Sequence, residues 1–489
     1  MQILNLTLEE SAEKLYLKIA NAIRQAIKNG NASTGEKLPS ARTLAAQLSV
    51  NRHTVMSAYH ELEAQGWVES RERQGYSVAQ TLPIYLSLKS NENLNDISNK
   101  HQWRLVKTEN NNLQRQASNY QFNFAGGNPD ISLFPFNEFR SYVNEAMSRP
   151  QINELNYGNN NGFPAFITEV STYLRRVRAI ANKEIIVVNG SQEALYIISQ
   201  ILLKPGDKVA VESLGYRPAW NALKNAGAEL IGVKQTKEGI DVEHLEQLFK
   251  QHKLRLLYLT PLHQYPTTTT LPAAQRIIVY QLAQQYNVPI IEDDYDHEFH
   301  YDSQPLAPMA ANDPAGLVIY LSSFSKILFP GVRLGIIAVD QSLAAHIVSY
   351  RTMINHKASV VLQDAIARWM KDGAFERHLR KATRIYQKRR QCMVETLNSF
   401  IVEGIELDFT VPPGGMTLWV NVGGNAEEIA KSAQENNIFL LAEKAFHLES
   451  KNDENKFIRL GFAGQSEDQI TQGLSRLKPF LNRKIKVFK

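Results

Sequence analysis

The chain has 489 residues, 43% of them hydrophobic and 21% charged, with a formal net charge of +5; that length suits two or three globular domains. No apolar run approaches the roughly 20 residues of a membrane span, and no basic-then-apolar leader opens the chain, so a cytoplasmic protein without a membrane partner is expected. The single cysteine, Cys392, excludes an internal disulfide and any thiolate cluster, and no metal is expected.

Over residues 11–30, Leu15, Ile19, Ala22, Ile23, Ala26 and Ile27 recur at helical spacing and Gly30 is a stop, which predicts an amphipathic helix. Ser40 is placed to cap a short helix from Ala41 to Leu48. Asn51 is placed to cap a longer one running to Gln65, with Val55, Ala58, Tyr59 and Leu62 on its apolar face. Two helices joined by so short a turn make a helix-turn-helix pattern. Trp67-Val-Glu-Ser and Tyr76-Ser-Val-Ala, on either side of Arg71-Glu-Arg-Gln-Gly75, read as a hairpin wing. Residues 1–80 carry nine Lys and Arg against eight Glu. Only the arrangement of charge, not its total, argues for DNA.

Leu38-Pro-Ser-Ala-Arg, Leu44-Ala-Ala-Gln-Leu-Ser-Val-Asn-Arg-His-Thr-Val and Ala58-Tyr-His-Glu-Leu-Glu-Ala-Gln-Gly resemble the winged helix of GntR-family bacterial regulators over residues 12–79. The resemblance implies that Ser40, Arg42, Arg52 and Thr54 meet double-stranded DNA. Arg52 and Thr54 open the recognition helix, where side chains reach base edges, whereas Ser40 and Arg42 are better placed for phosphates. Arg71 and Arg73 on the wing turn add backbone contacts. Residues 81–120 are polar and Asn-rich and read as a linker, in which Ile84 to Leu88 form a short apolar piece suited to docking on a neighbour.

From Phe122 the texture changes again. Apolar runs at Ile185–Val188, Lys208–Val211, Leu256–Leu259, Val288–Ile291, Val318–Leu321 and Ile336–Val339 alternate with helical periods, which predicts an α/β domain with a mainly parallel sheet. Ligands in such sheets lie at the carboxyl ends of strands. At those ends lie a Gly190-Ser191-Gln192 turn able to hold a phosphate, Tyr216 with a face for stacking, and His263 in a Thr-Pro-Leu-His-Gln-Tyr-Pro-Thr loop. Asp293 and Tyr295 follow, then Ser323, Ser325, Lys326 and Arg333. A lone lysine after a strand usually snorkels to the surface. One set between two apolar runs can lose its proton and attack a carbonyl, and a strand-end aspartate can hold a pyridine nitrogen protonated.

In that order these pieces resemble the aminotransferase-like, pyridoxal 5'-phosphate (PLP) enzymes of fold type I, over about residues 120–480. The resemblance implies Lys326 as the Schiff-base lysine, Asp293 as the pyridine-nitrogen partner, Tyr295 near the ring hydroxyl and Tyr216 stacking. Gly190, Ser191, Gln192, Ser323, Ser325 and Arg333 then serve the phosphate, His263 and Gln264 stand in near the ring hydroxyl, and Arg459 takes an effector carboxylate. Asp294 competes with Asp293 for the first register. Two departures stand out: Thr268 where the family often has glycine, and Tyr265 where aminotransferases have asparagine.

A GntR winged helix (1–80), a linker (81–120) and an aminotransferase-like domain (121–489) together resemble the MocR subgroup of GntR regulators. The expectation is a transcriptional regulator that binds PLP as an aldimine on Lys326, senses PLP or an amine or amino acid, and forms a head-to-tail homodimer. The alternatives are an active PLP-dependent aminotransferase with an appended DNA-binding domain, and a cofactor-free domain kept for dimerisation.

Overall fold

The computed structural model describes residues 14–71, 75–83, 120–148, 150, 152–156, 158–302, 306–449 and 455–481. Contacts divide the chain into two compact units, 1–108 and 109–489.

In the first unit, α1 (Leu15–Lys28), α2 (Ala41–Leu48) and α3 (Arg52–Ala64) precede a hairpin of β1 (Val68–Arg71) and β2 (Gly75–Val78). The caps form as their sequence requires: Ser40 Oγ accepts the Thr43 N–H at 3.1 Å, and Asn51 Oδ1 accepts the His53 N–H at 2.9 Å. Ile19, Ile23, Leu44, Val55, Leu62 and Trp67 fill the core between the three helices and the hairpin. Tyr59 is fully buried; its hydroxyl donates to the Pro39 carbonyl at 2.7 Å and its ring stacks on Tyr76. The first helix is described from Leu15, and residues 11–13 of its expected range, like Ile84 to Leu88, lie outside the described residues.

The second unit is built on a seven-stranded sheet of β4 (Glu184–Val188), β5 (Lys208–Glu212), β6 (Glu229–Val233), β9 (Leu254–Leu259), β10 (Ile290–Asp293), β11 (Val318–Ser323) and β12 (Gly335–Val339). A small hairpin, β7 (Gln235–Thr236) and β8 (Gly239–Ile240), lies between β6 and β9 in the chain. The strand order is β4-β12-β11-β10-β9-β5-β6, and only β12 runs antiparallel to its neighbours. Apolar cores cover both faces, one around Phe166, Leu257 and Trp369, the other around Ile198, Trp220 and Ile291. That explains why the strands read as continuous apolar runs rather than alternating ones.

A second, antiparallel sheet of β13 (Asp408–Phe409), β14 (Thr417–Asn421), β16 (Leu441–Ala442) and β17 (Phe457–Gly461) carries Arg459 opposite Trp419. β15 (Ile438–Phe439) pairs in parallel with β3 (Phe122–Asn123).

One strand differs from its expected bounds. The apolar run 288–291 suggests a strand ending before the acids, but β10 covers Ile290–Asp293. Glu292 and Asp293 stay in the ladder because they pair with Tyr320 and Leu321 of β11. Backbone pairing, not side-chain polarity, sets the end.

Candidate functional site

Because β12 runs antiparallel, its start returns to the edge where β4 and β11 end: Gly335 pairs with both Val188 and Ser323. Three turns therefore meet there. Gly190, at φ +91°, opens the helix Ser191–Leu202 with no side chain capping it, so the first amides of that helix stay available to an anion. Arg333, itself in the left-handed region at φ +48°, folds over this turn and donates to the Asn189 carbonyl at 2.8 Å. A Cβ on Gly190 would stand 2.9 Å from the Arg333 guanidinium. Ser323 Oγ donates to Ser325 Oγ at 3.0 Å and accepts the Ser325 N–H at 3.2 Å, which places two hydroxyls beside Lys326. The Gln192 side chain turns away and donates to the Pro218 carbonyl at 3.0 Å.

Lys326 follows directly in the turn after β11 and is half-buried. Burial, reinforced by the nearby positive charge of Arg459 and only partly offset by Asp296, lowers its ammonium to about 8. A substantial neutral fraction near physiological pH is what a nucleophilic amine needs.

Asp293 and Asp294 diverge. Asp294 is paired with Arg178 and accepts the Tyr320 hydroxyl at 2.7 Å. Burial opposes its charge, but Arg178 and His297 hold it below the usual carboxylate range. Asp293 is 5% exposed and, among the described residues, has one hydrogen-bond partner, the Tyr258 hydroxyl, 2.9 Å from Oδ2. Its Oδ1 is buried with no hydrogen-bond partner among the described residues. Burial, with the charges of Asp294 and Asp296 adding, pushes the Asp293 carboxyl up to about 7. Such an atom wants a cationic N–H donor.

The aromatic side of the site centres on Tyr265. Its ring meets Tyr216 edge-on at 5.3 Å, Tyr295 at 6.1 Å and Phe446 at 5.6 Å between centroids. The Arg459 guanidinium carbon lies over the same ring, 4.5 Å from its centroid. Arg459 is 3% exposed; it also makes a long hydrogen bond to the Ala125 carbonyl at 3.4 Å, and its Nε has no hydrogen-bond partner among the described residues. His263 Nδ1 lies 2.7 Å from Asp296 Oδ1, which outweighs burial and keeps its ring more basic than usual.

Two contributors went unrecognised in the sequence. Tyr258 sits inside the buried run of β9, where a hydroxyl in an apolar strand was the available signal. Glu212 at the end of β5 accepts the Thr260 N–H and hydroxyl at 3.2 and 2.7 Å, and burial still pushes it up to about 8. Thr268 takes φ +63°, the left-handed conformation that glycine adopts without strain, which accounts for a glycine in related loops.

In the first unit Ser40, Arg42 and Arg52 are exposed and Thr54 is half-buried. Ser40 is occupied as a cap. The Arg71 side chain and all of Arg73 lie outside the described residues. Among the described residues no helix is long and apolar enough to cross a membrane.

Residues 121–477 match the family Aminotransferase class I and II, and residues 15–78 match Bacterial regulatory proteins, gntR family. The chain is similar to the probable rhizopine catabolism regulatory protein MocR of Rhizobium meliloti, 27% identical over 483 residues, covering 97% of this chain and 95% of that one. It is also similar to the HTH-type transcriptional regulator TauR of Rhodobacter capsulatus, 25% identical over 95% of this chain and 96% of the relative. Among solved structures, the kynurenine aminotransferase of Pyrococcus horikoshii superposes with a TM-score of 0.72 at 28% identity, over 80% of this chain and 99% of that one.

Proposed function

Since the chain belongs to the aminotransferase class I and II family over residues 121–477 and opens with a GntR-family regulatory domain over 15–78, we propose that it is a DNA-binding transcriptional regulator whose large domain holds PLP and responds to PLP or to an amine or amino acid. The carrying observation is that one chain joins a recognition helix with Arg52 exposed at its start to an aminotransferase fold that keeps Lys326. Relatives matched over nearly their full length bear regulator names.

The residues present fit the cofactor. Asp293 Oδ1 is the orphaned acceptor a pyridinium N–H would satisfy, and the Gly190 turn under Arg333 suits a phosphate. When bound, PLP supplies an aldehyde able to capture a primary amine reversibly. The protein's part is to keep Lys326 partly neutral, to orient the ring between Asp293 and Tyr216, and to offer Arg459 to a carboxylate. In this reading residues 1–80 bind DNA through Ser40, Arg42, Arg52, Thr54, Arg71 and Arg73, residues 81–120 connect, and residues 121–489 hold the cofactor. Two copies in a head-to-tail homodimer would present paired winged helices to paired half-sites in the cytoplasm.

The test is a visible absorption titration of the full-length protein with PLP, then with amines and amino acids. A band absent from Lys326→Ala that shifts with one amine and then holds is expected. A band that decays while keto acid accumulates would make the protein an aminotransferase instead. No band at all would remove the cofactor from the reading.

A further inference from the structure

Arg459 is a buried cation on β17, and among the described residues no carboxylate pairs with it. An unpaired buried guanidinium is costly, and Lys326 nearby adds a second positive charge. What holds Arg459 is the ring of Tyr265, with the guanidinium carbon 4.5 Å from its centroid. A guanidinium resting on an aromatic face spends its π surface there and leaves its in-plane N–H groups for acceptors; here one Nη1 N–H makes the long bond to the Ala125 carbonyl, and the others remain for a carboxylate.

Tyr265 is in turn fixed with unusual care. Its N–H donates to Thr260 Oγ1 at 3.0 Å, and that hydroxyl donates to Glu212 at 2.7 Å. The Gln264 side chain donates to the Leu214 carbonyl at 2.8 Å and accepts from the Thr267 hydroxyl at 2.6 Å. Thr268 holds a left-handed backbone to close the loop, and Phe446, Tyr216 and Tyr295 brace the ring edge-on. Strain and buried hydrogen bonds concentrated under one side chain mark a side chain whose position matters.

We infer that Tyr265 is the positioning residue that sets the ligand preference of this site: by seating Arg459 so that its in-plane N–H groups other than the one on the Ala125 carbonyl face a ligand, it makes the site favour amines that carry a carboxylate over the same amines without one. The inference rests on the proposed roles of Lys326 and Arg459.

The experiment compares matched pairs, alanine with ethylamine and phenylalanine with 2-phenylethylamine, by equilibrium titration of the cofactor band in the PLP-loaded full-length protein. Calorimetry of 3-phenylpropanoate, which has the carboxylate and no amine, binding to cofactor-free protein runs beside it. The wild type should prefer the acid of each pair. Tyr265→Phe should keep that preference, and Tyr265→Leu should lose about tenfold of it, the acid of each pair weakening about tenfold more than its amine. In calorimetry Tyr265→Leu should bind 3-phenylpropanoate about tenfold more weakly. Preference retained in Tyr265→Leu, or acid and amine weakened equally, overturns the inference. If no amine shifts the wild-type band, the parent reading fails, and the calorimetric comparison of wild type with Tyr265→Leu decides the role of Tyr265 alone.

Discussion

At the scale of single residues, the site is a set of groups held out of their preferred state. Lys326 has its ammonium lowered from 10.5 to about 8, so the folded chain binds fewer protons than the unfolded one between those values. The sign follows: below about pH 8 the folded state carries the full penalty, and stability recovers as pH rises toward 10.5. Lys326→Met in cofactor-free protein should therefore be more stable than wild type at pH 7 by about 2–3 kcal/mol. That gap should shrink at pH 10, as read from urea unfolding at the two pH values. An equal gap at both would mean the amine is not depressed. If Lys326 holds the cofactor as proposed, the protein gives up stability here for reactivity, as functional sites commonly do.

At the scale of elements, the antiparallel insertion of β12 between β4 and β11 is the decisive device, because it brings Arg333 back over the Gly190 turn. Gly190→Ala places a Cβ against the Arg333 guanidinium at a φ of +91° that alanine rarely adopts. Affinity for PLP should fall at least tenfold, measured by equilibrium dialysis, while the fold survives a strain of about 1–3 kcal/mol. Much at this scale was legible beforehand. Caps at Ser40 and Asn51, the wing hairpin and most strands of the large sheet follow local chemistry and periodicity. The end of β10 was not legible, since Glu292 and Asp293 read as loop acids until their partners in β11 are known. The same holds for Asp293 against Asp294: the first is the last residue of β10 and the second lies just past its end, and only the pairing of Asp294 with Arg178, far away in sequence, separates the two.

At the scale of the whole molecule, a chain with a DNA-reading unit and a ligand-holding unit regulates only if the ligand favours one arrangement over another. Linkage then requires DNA to alter ligand affinity by the same factor by which ligand alters DNA affinity. On the DNA side, Arg42 and Arg52 should separate by role. Arg42→Ala should weaken binding to all sequences alike and reduce the slope of log affinity against log salt by about 1. Arg52→Ala should cost about 1–3 kcal/mol on the preferred site and narrow the gap between specific and nonspecific DNA. Fluorescence anisotropy over a salt series distinguishes them, and identical behaviour of the two variants would contradict this division.

By itself the sequence determined what local rules govern: a winged helix at the front, a mainly parallel sheet behind it, and a chemical series of turns ending in Lys326, because capping, period and strand-end chemistry are written in neighbouring residues. Only the tertiary structure decided which acid keeps a free oxygen, which tyrosine supports it, and that Tyr265 seats Arg459. Those relations join residues as far apart as 265 and 459, and no spacing along the chain encodes a contact made by packing two separate sheets against one site.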